Sequence, residues 1–337
     1  MRRLRTAVRQ ALLAPVGRSG LPAVLQRLVF RHGLTIVAYH GLLCDPLPVP
    51  DWCFLDEQDF RQQVSYLGQR FLTLPLEEAV ERLQSGRLHR PAVAITFDDG
   101  FQSVHDLALP ILRTMGLPAT VFLNTGLCGT EDTVWFCRLH RALCRTGRRE
   151  VRWRGVRLDL RDVHRRKSAS VVLQAQLKEL AHDEMLAETR RLVQQLGDDP
   201  DEAVPPGSPY RMLSREAIAT MVSSGVFSFG AHTHSHAILT RVSTERGQQE
   251  VLRSVDSVAA LTGRPCRSFA YPNGRRQDYD HQTISLLRSL GVRLAVTSVP
   301  GPNVFGTPVL ELCRYGIGHG TSMAHFRCLV HHMMHLS

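Results

Sequence analysis

The sequence predicts an α/β protein: a distorted (β/α) barrel of about seven parallel strands with a helical insertion. Short apolar runs rich in β-branched residues recur along the chain, and most are followed by helical patterns, as parallel strands with helical crossovers require. No G-x-G-x-x-G loop follows any of these runs, which favours a barrel over a doubly wound nucleotide-binding sheet. With 337 residues, 43% hydrophobic and 21% charged, the chain is long enough to bury a full core.

Six segments read as buried strands: Leu34–Tyr39, Ala92–Phe97, Ala119–Leu123, Val226–Gly230, Ser268–Tyr271 and Leu294–Thr297. Apolar residues spaced by three and four predict helices over Asp59–Leu67, Leu76–Gln84, Ser103–Met115, Ser214–Ser224 and Thr244–Thr262. Ser214 is a candidate N-cap with Glu216 in the first turn, and Gly116, Gly225, Gly263 and Gly291 sit where helices should stop. Residues 128–210 break the alternation: they are charged, helix-prone and end in an acidic, proline-rich linker, Asp198–Pro209. The division expected is therefore a helical lead over 1–33 and a barrel over 34–337, interrupted by an insertion at 128–210 that lies over or beside the barrel mouth.

The N-terminus is basic, but Arg9, Gln10, Pro15 and Arg18 break its apolar run, so it lacks the continuous apolar region of a secretory signal. An amphipathic helix over residues 3–14 would allow peripheral membrane contact. No stretch is long and apolar enough to span a bilayer. Eight cysteines include no C-x-x-C pair, which excludes a zinc knuckle or thioredoxin-like pair and points to reduced, buried thiols in a cytoplasmic, optionally membrane-associated protein. The net charge of +10 comes from scattered arginines without interleaved aromatics, so no nucleic-acid partner is expected.

Four motifs carry chemistry. Thr96-Phe97-Asp98-Asp99-Gly100 follows a predicted strand, and in a parallel barrel that end opens onto the functional face. One of two adjacent carboxylates there can ligate a cation while the other stays free as a base. Gly230-Ala231-His232-Thr233-His234-Ser235-His236 also follows a strand, and one helical turn would place His232 and His236 on one side. Two imidazoles and a carboxylate make an open metal site, although the spacing also admits a His232–His234 pair. Tyr271-Pro272-Asn273-Gly274 predicts a tight turn whose backbone N–H groups face the mouth, able to stabilise an oxyanion. His40, in Tyr39-His40-Gly41, stands at a fourth strand end as a candidate general acid.

Together and in this order the motifs resemble those of the polysaccharide deacetylase family, the NodB-homology or carbohydrate esterase 4 group. T-F-D-D-G resembles its first motif, H-T-x-S-H its second, and F-A-Y-P-N-G the third as found in the branch of poly-N-acetylglucosamine deacetylases. The likeness covers roughly residues 34–127 and 211–320. It implies a hydrolase acting on an N-acetylated saccharide, with Asp98 as catalytic base and Asp99, His232 and His236 holding a divalent metal, typically Zn2+. It also implies that the Asn273 N–H lines the oxyanion hole and that the acid is His40 rather than the late His319. The family's third motif often carries an arginine that orients the base; here Ala270 stands at that position, and Arg314 is the candidate replacement. Two other readings remain at this stage: a metal-dependent amidohydrolase acting on non-sugar C–N bonds, and a catalytically inactive carbohydrate-binding protein.

Overall fold

All six predicted strand segments form strands in the computed structural model, which describes residues 31–333. They are β1 (Leu34–Tyr39), β2 (Ala92–Phe97), β3 (Ala119–Leu123), β4 (Phe227–Ala231), β5 (Ser268–Ala270) and β6 (Leu294–Val296); a seventh, β7, is only Tyr315–Gly316. Neighbours pair in parallel in the order β6-β5-β4-β3-β2-β1-β7, with the short strand Leu72–Thr73 also pairing to β2. The sheet curls into an open barrel, and between its edges a single parallel bridge joins Val296 to Leu312. The predicted N-terminal helix over 3–14 and most of the 1–33 lead lie outside the described residues.

Both faces of these strands are buried, as expected of a parallel sheet with helices outside. Alternation sorts the side chains. Leu34 and Ile36 of β1, Ala92 and Ala94 of β2, Phe122, Ala270, Leu294 and Val296 cluster inside the barrel, while Val37, Tyr39, Val93, Ile95 and Phe97 pack outward against the helices. The Leu76–Gln84 helix adds Leu76, Ala79, Val80 and Leu83 to the interior cluster, at the end where the strands begin. The opposite end, where β1, β2 and β4 finish, is left to polar residues. Gly230 is needed inside: a Cβ there would lie 2.7 Å from the Phe122 ring.

The insertion differs from its purely helical expectation. Helices Trp135–Arg145, Val163–Leu177 and His182–Gln195 are joined by an antiparallel hairpin, Glu150–Trp153 with Val156–Asp159. Its signal is the alternation of Val151, Trp153, Val156 and Leu158 around Arg154-Gly155, whose φ angles of 47° and 77° make the tight reversal. Nor is Asp198–Pro209 a free linker. Arg141 donates to the Asp198 carboxylate (3.0 Å) and the Asp199 carbonyl (2.8 Å), and Arg138 donates to the Glu202 carbonyl (3.0 Å), which binds the segment to the Trp135–Arg145 helix.

Candidate active site

The interior parity of β2 runs Ala92, Ala94, Thr96, Asp98, so the Asp98 side chain points into the open end of the barrel. The ladder extends one residue beyond the strand, with the Asp98 N–H donating to the Tyr39 carbonyl at 2.9 Å. Continued as a strand, the chain would turn Asp99 outward. Instead Asp99 adopts φ 69°, a left-handed conformation unusual outside glycine, and both adjacent carboxylates serve the same site.

Arg314 takes the replacement position proposed for it. Its two terminal nitrogens donate to the two Asp98 oxygens at 2.7 and 2.8 Å, and its Nε donates to the Thr297 carbonyl at 2.8 Å. This is a bidentate, charge-assisted pair, fully buried. Burial alone would raise the Asp98 carboxyl, but the Arg314 charge, aided by His232, overrides it and holds Asp98 well below its ordinary range. Asp98 is thus ionised at any physiological pH.

The histidine pair corrects one expectation. His232 and His236 share no helix; they lie on a loop after β4. The loop is folded back by left-handed residues at Thr233 (φ 60°) and His236 (φ 58°), which bring the two rings to 5.1 Å between centroids. His232 Nδ1 lies 2.7 Å from the Ala270 carbonyl, which fixes that nitrogen as the donor and leaves Nε2 bare. Nε2 of His232 and of His236 then face Asp99 Oδ1 at 3.6 and 3.4 Å. His234 turns away, with Nδ1 3.0 Å from Thr125 Oγ1, so the His232–His234 pairing is not the one adopted.

Asp99, His232 and His236 present ligand atoms within 4.8 Å of one another, all buried. Neither Asp99 oxygen has a hydrogen-bond partner. Burial, reinforced by Asp98, pushes the Asp99 carboxyl far above its ordinary range, and burial pushes the His236 imidazole down. A bare buried carboxylate between two neutral imidazoles is costly in a protein interior. A divalent cation supplies what these donors lack, so the residues fit a metal.

His40 directly follows β1, its ring edge-on to Trp52 with centroids 4.9 Å apart, and its buried Nδ1 has no partner. Burial lowers it to about 4, against an opposing pull from Asp98. His319 is exposed and is not among the residues lining the cavity that holds the triad. In the turn after β5, Asn273 adopts φ 59°. Its side-chain amide donates to Asp278 at 2.6 Å, and its carbonyl accepts from Ser298 Oγ at 2.5 Å. Gly274 follows at φ 64°, where a Cβ would stand 2.7 Å from the Ser298 nitrogen.

A profile of the polysaccharide deacetylase family matches residues 85–295, more than half of the sequence. The chain belongs to the polysaccharide deacetylase family. It is similar to a poly-β-1,6-N-acetyl-D-glucosamine N-deacetylase of Staphylococcus epidermidis, 35% identical over 79 residues, which are 23% of this chain and 27% of that protein. A Staphylococcus aureus protein of the same name is 32% identical over 81 residues, again 23% and 27%. The matched region thus spans only about a quarter of these relatives' length. Among solved structures, the deacetylase PplD of Streptococcus pyogenes in complex with acetate shares the fold, with TM-score 0.59 and 19% identity over 89% of this chain and 99% of that one. IcaB of Ammonifex degensii also shares it, with TM-score 0.55 and 20% identity over 89% and 97%.

In this family member a cavity of about 590 Å³ holds Asp98, Asp99, His232, His236, His40, Asn273 and Arg314. Sequence reasoning missed much of its wall. Trp52 lines it together with Phe136, Gln174 and Lys178 of the insertion, which thus forms one side of the site. It also missed Glu250, a buried carboxylate on the Thr244–Thr262 helix. Glu250 accepts from the His234 and Ser235 N–H groups (3.0 and 2.8 Å) and from Ser235 Oγ (2.9 Å), fastening the histidine loop from behind. Its one sequence cue was a lone acid at a helical position that should be apolar. A second cavity, of about 610 Å³, lies beyond the loop beside His234 and Ser235; its Arg190 is paired with Asp201 and its Arg138 with Asp132.

Proposed function

We propose that the chain is a metal-dependent hydrolase that removes N-acetyl groups from an amino-sugar-containing poly- or oligosaccharide, or from its glycolipid precursor. The observation that carries this reading is Asp98, its two oxygens clamped by Arg314, beside Asp99, whose buried oxygens have no hydrogen-bond partner. Asp99, His232 and His236 would hold the cation, and two nitrogens with one oxygen suit zinc with positions left open. Bound there, the cation supplies Lewis acidity, polarising the acetamide carbonyl and making water more acidic at neutral pH.

The chain's own groups do the rest. Asp98 takes a proton from the attacking water, and Arg314 keeps that carboxylate aimed and ionised until it does. The Asn273 N–H, held in place by Asp278 and Ser298 around it, donates to the developing oxyanion. His40 is neutral in the resting cavity because burial lowers it to about 4. Negative charge growing on the acetyl oxygen raises its proton affinity, so it takes over the proton that Asp98 drew from water and delivers it to the leaving nitrogen, which frees Asp98 as a carboxylate again. Acetate and a free amino sugar result.

The test is acetate release from an N-acetylated β-1,6-linked glucosamine oligosaccharide, with and without chelator. Activity should vanish with chelator and return with added divalent metal, and Asp98→Asn should lower kcat by about 10²–10⁴. Turnover indifferent to chelator, or undiminished in Asp98→Asn, would overturn the reading.

A further inference from the structure

Of 41 basic residues in this chain, only Lys167 and Lys178 are lysines, and one of the two stands in the active-site cavity. Lys178 follows directly on the insertion's Val163–Leu177 helix as its C-cap. Four residues earlier, on the same side of that helix, Gln174 accepts a hydrogen bond from the Trp52 indole N–H at 2.8 Å. The Lys178 ammonium lies over the Trp52 ring, 5.4 Å from its centroid. The ring is thereby fixed at the cavity wall, and the ammonium is carried over it into the space beside the metal ligands.

Every other permanent cation of the cavity is neutralised within the protein. Arg314 is paired with Asp98, and Arg275 with Asp278 (3.2 Å) and Glu179 (3.3 Å). Lys178 has no carboxylate or carbonyl acceptor among the described residues. Burial, together with Arg275, lowers its pKa; the carboxylates of Asp99, Asp278 and Asp51 pull the other way without outweighing burial. A neutral saccharide would not outweigh it either. Once a cation fills the Asp99–His232–His236 site, the cavity carries an excess of positive charge, of which Lys178 is the part directed at whatever lies against Trp52.

We propose that Lys178 recognises an anionic group, a carboxylate or a phosphate, carried by the saccharide next to its acetamido sugar, which makes the substrate class an acidic N-acetylated saccharide. This rests on the deacetylase reading above. The sugar ring packs on Trp52, and its acidic neighbour receives the ammonium.

The experiment measures binding by calorimetry to the metal-loaded Asp98→Asn/Arg314→Met enzyme, so that turnover does not interfere and no unpaired guanidinium is left in the cavity. Three ligands are compared: a neutral N-acetylglucosamine tetrasaccharide, a tetrasaccharide of alternating glucuronic acid and N-acetylglucosamine, and an N-acetylglucosamine oligosaccharide bearing a terminal phosphate. At least one acidic ligand should bind about ten-fold or more tighter than the neutral one, as expected of a charged hydrogen bond. That advantage should disappear with Lys178→Gln added and be largely kept with Lys178→Arg. Which acidic ligand gains more separates uronate from phosphate. No advantage for either, or an advantage that survives Lys178→Gln, overturns the proposal. Failure of the deacetylase reading is seen separately, as absence of acetate release from all three ligands with Asp98 and Arg314 intact.

Discussion

Replacing Arg314 by methionine keeps most of the side-chain volume and removes the guanidinium that reaches both Asp98 oxygens at 2.7 and 2.8 Å. The pair is buried, so the variant leaves an uncompensated carboxylate in the barrel, and breaking such a pair costs about 3–5 kcal/mol. Domains have only about 5–15 kcal/mol to lose, so the variant should fold but denature much earlier. Asp98 is held below its ordinary value of 3.8 in spite of burial, which by itself raises it. The stabilisation from the pair is therefore complete above that ordinary value and fades as pH falls towards the depressed one. Without Arg314 the burial contribution wins, Asp98 titrates above its ordinary range, and the acid limb of the kcat profile moves to higher pH. Arg314→Lys, with the charge but not the fork, should fall between. The assay is kcat for acetate release against pH, with denaturant unfolding alongside to establish that the variant is folded. A folded Arg314→Met enzyme with the wild-type kcat and acid limb would refute the assignment of Arg314 to the base.

Two further outcomes follow from residues away from the reacting groups. Glu250→Gln can keep its contact with Ser235 but weakens the charged acceptor that fastens the His234 and Ser235 N–H groups, so metal affinity should fall about 10- to 100-fold in a chelator competition; an unchanged affinity would show that the loop holds its shape alone. His331, stacked on Phe71 and 2.7 Å from the Tyr66 hydroxyl, is lowered by burial from 6.5 to about 4. Above pH 6.5 it is neutral folded or unfolded. As pH drops from 6.5 towards 4 only the unfolded chain gains the proton, and stability falls by up to about 3 kcal/mol. Denaturation midpoints at pH 7 and pH 4 should therefore lie closer together in His331→Gln than in the wild type, and equal spacing would exclude this histidine as a source of acid sensitivity.

What could be read without coordinates was local. The strands from β1 to β6 are continuous apolar runs because one face packs in the barrel interior and the other against helices, and the motifs stand at their ends because chemistry in such a barrel gathers where strands finish. Asp98, Asp99, His232 and His236 were legible for that reason. The spacing of His232 and His236 was misleading in detail: four residues can be spanned by a helical turn or by a loop with two left-handed residues, and only the second is used. The hairpin at 150–159 was concealed in a charged segment whose alternation is short.

The partners of these residues were set by distance in space. Arg314 and Asp98 are 216 positions apart and meet because β7 lies beside β1, and β1 beside β2. Glu250 reaches the histidine loop from a helix packed behind it, and the Trp52 indole donates to Gln174, 122 residues away, which sets its ring beneath Lys178. By itself the sequence determined which chemical groups are available and the strand ends that carry them, since apolar runs and adjacent ligands are near-neighbour properties. The tertiary structure decided which carboxylate is paired with an arginine, which is left without a partner, and which lysine lines the cavity, because burial and charge pairing depend on everything the fold brings within a few ångströms.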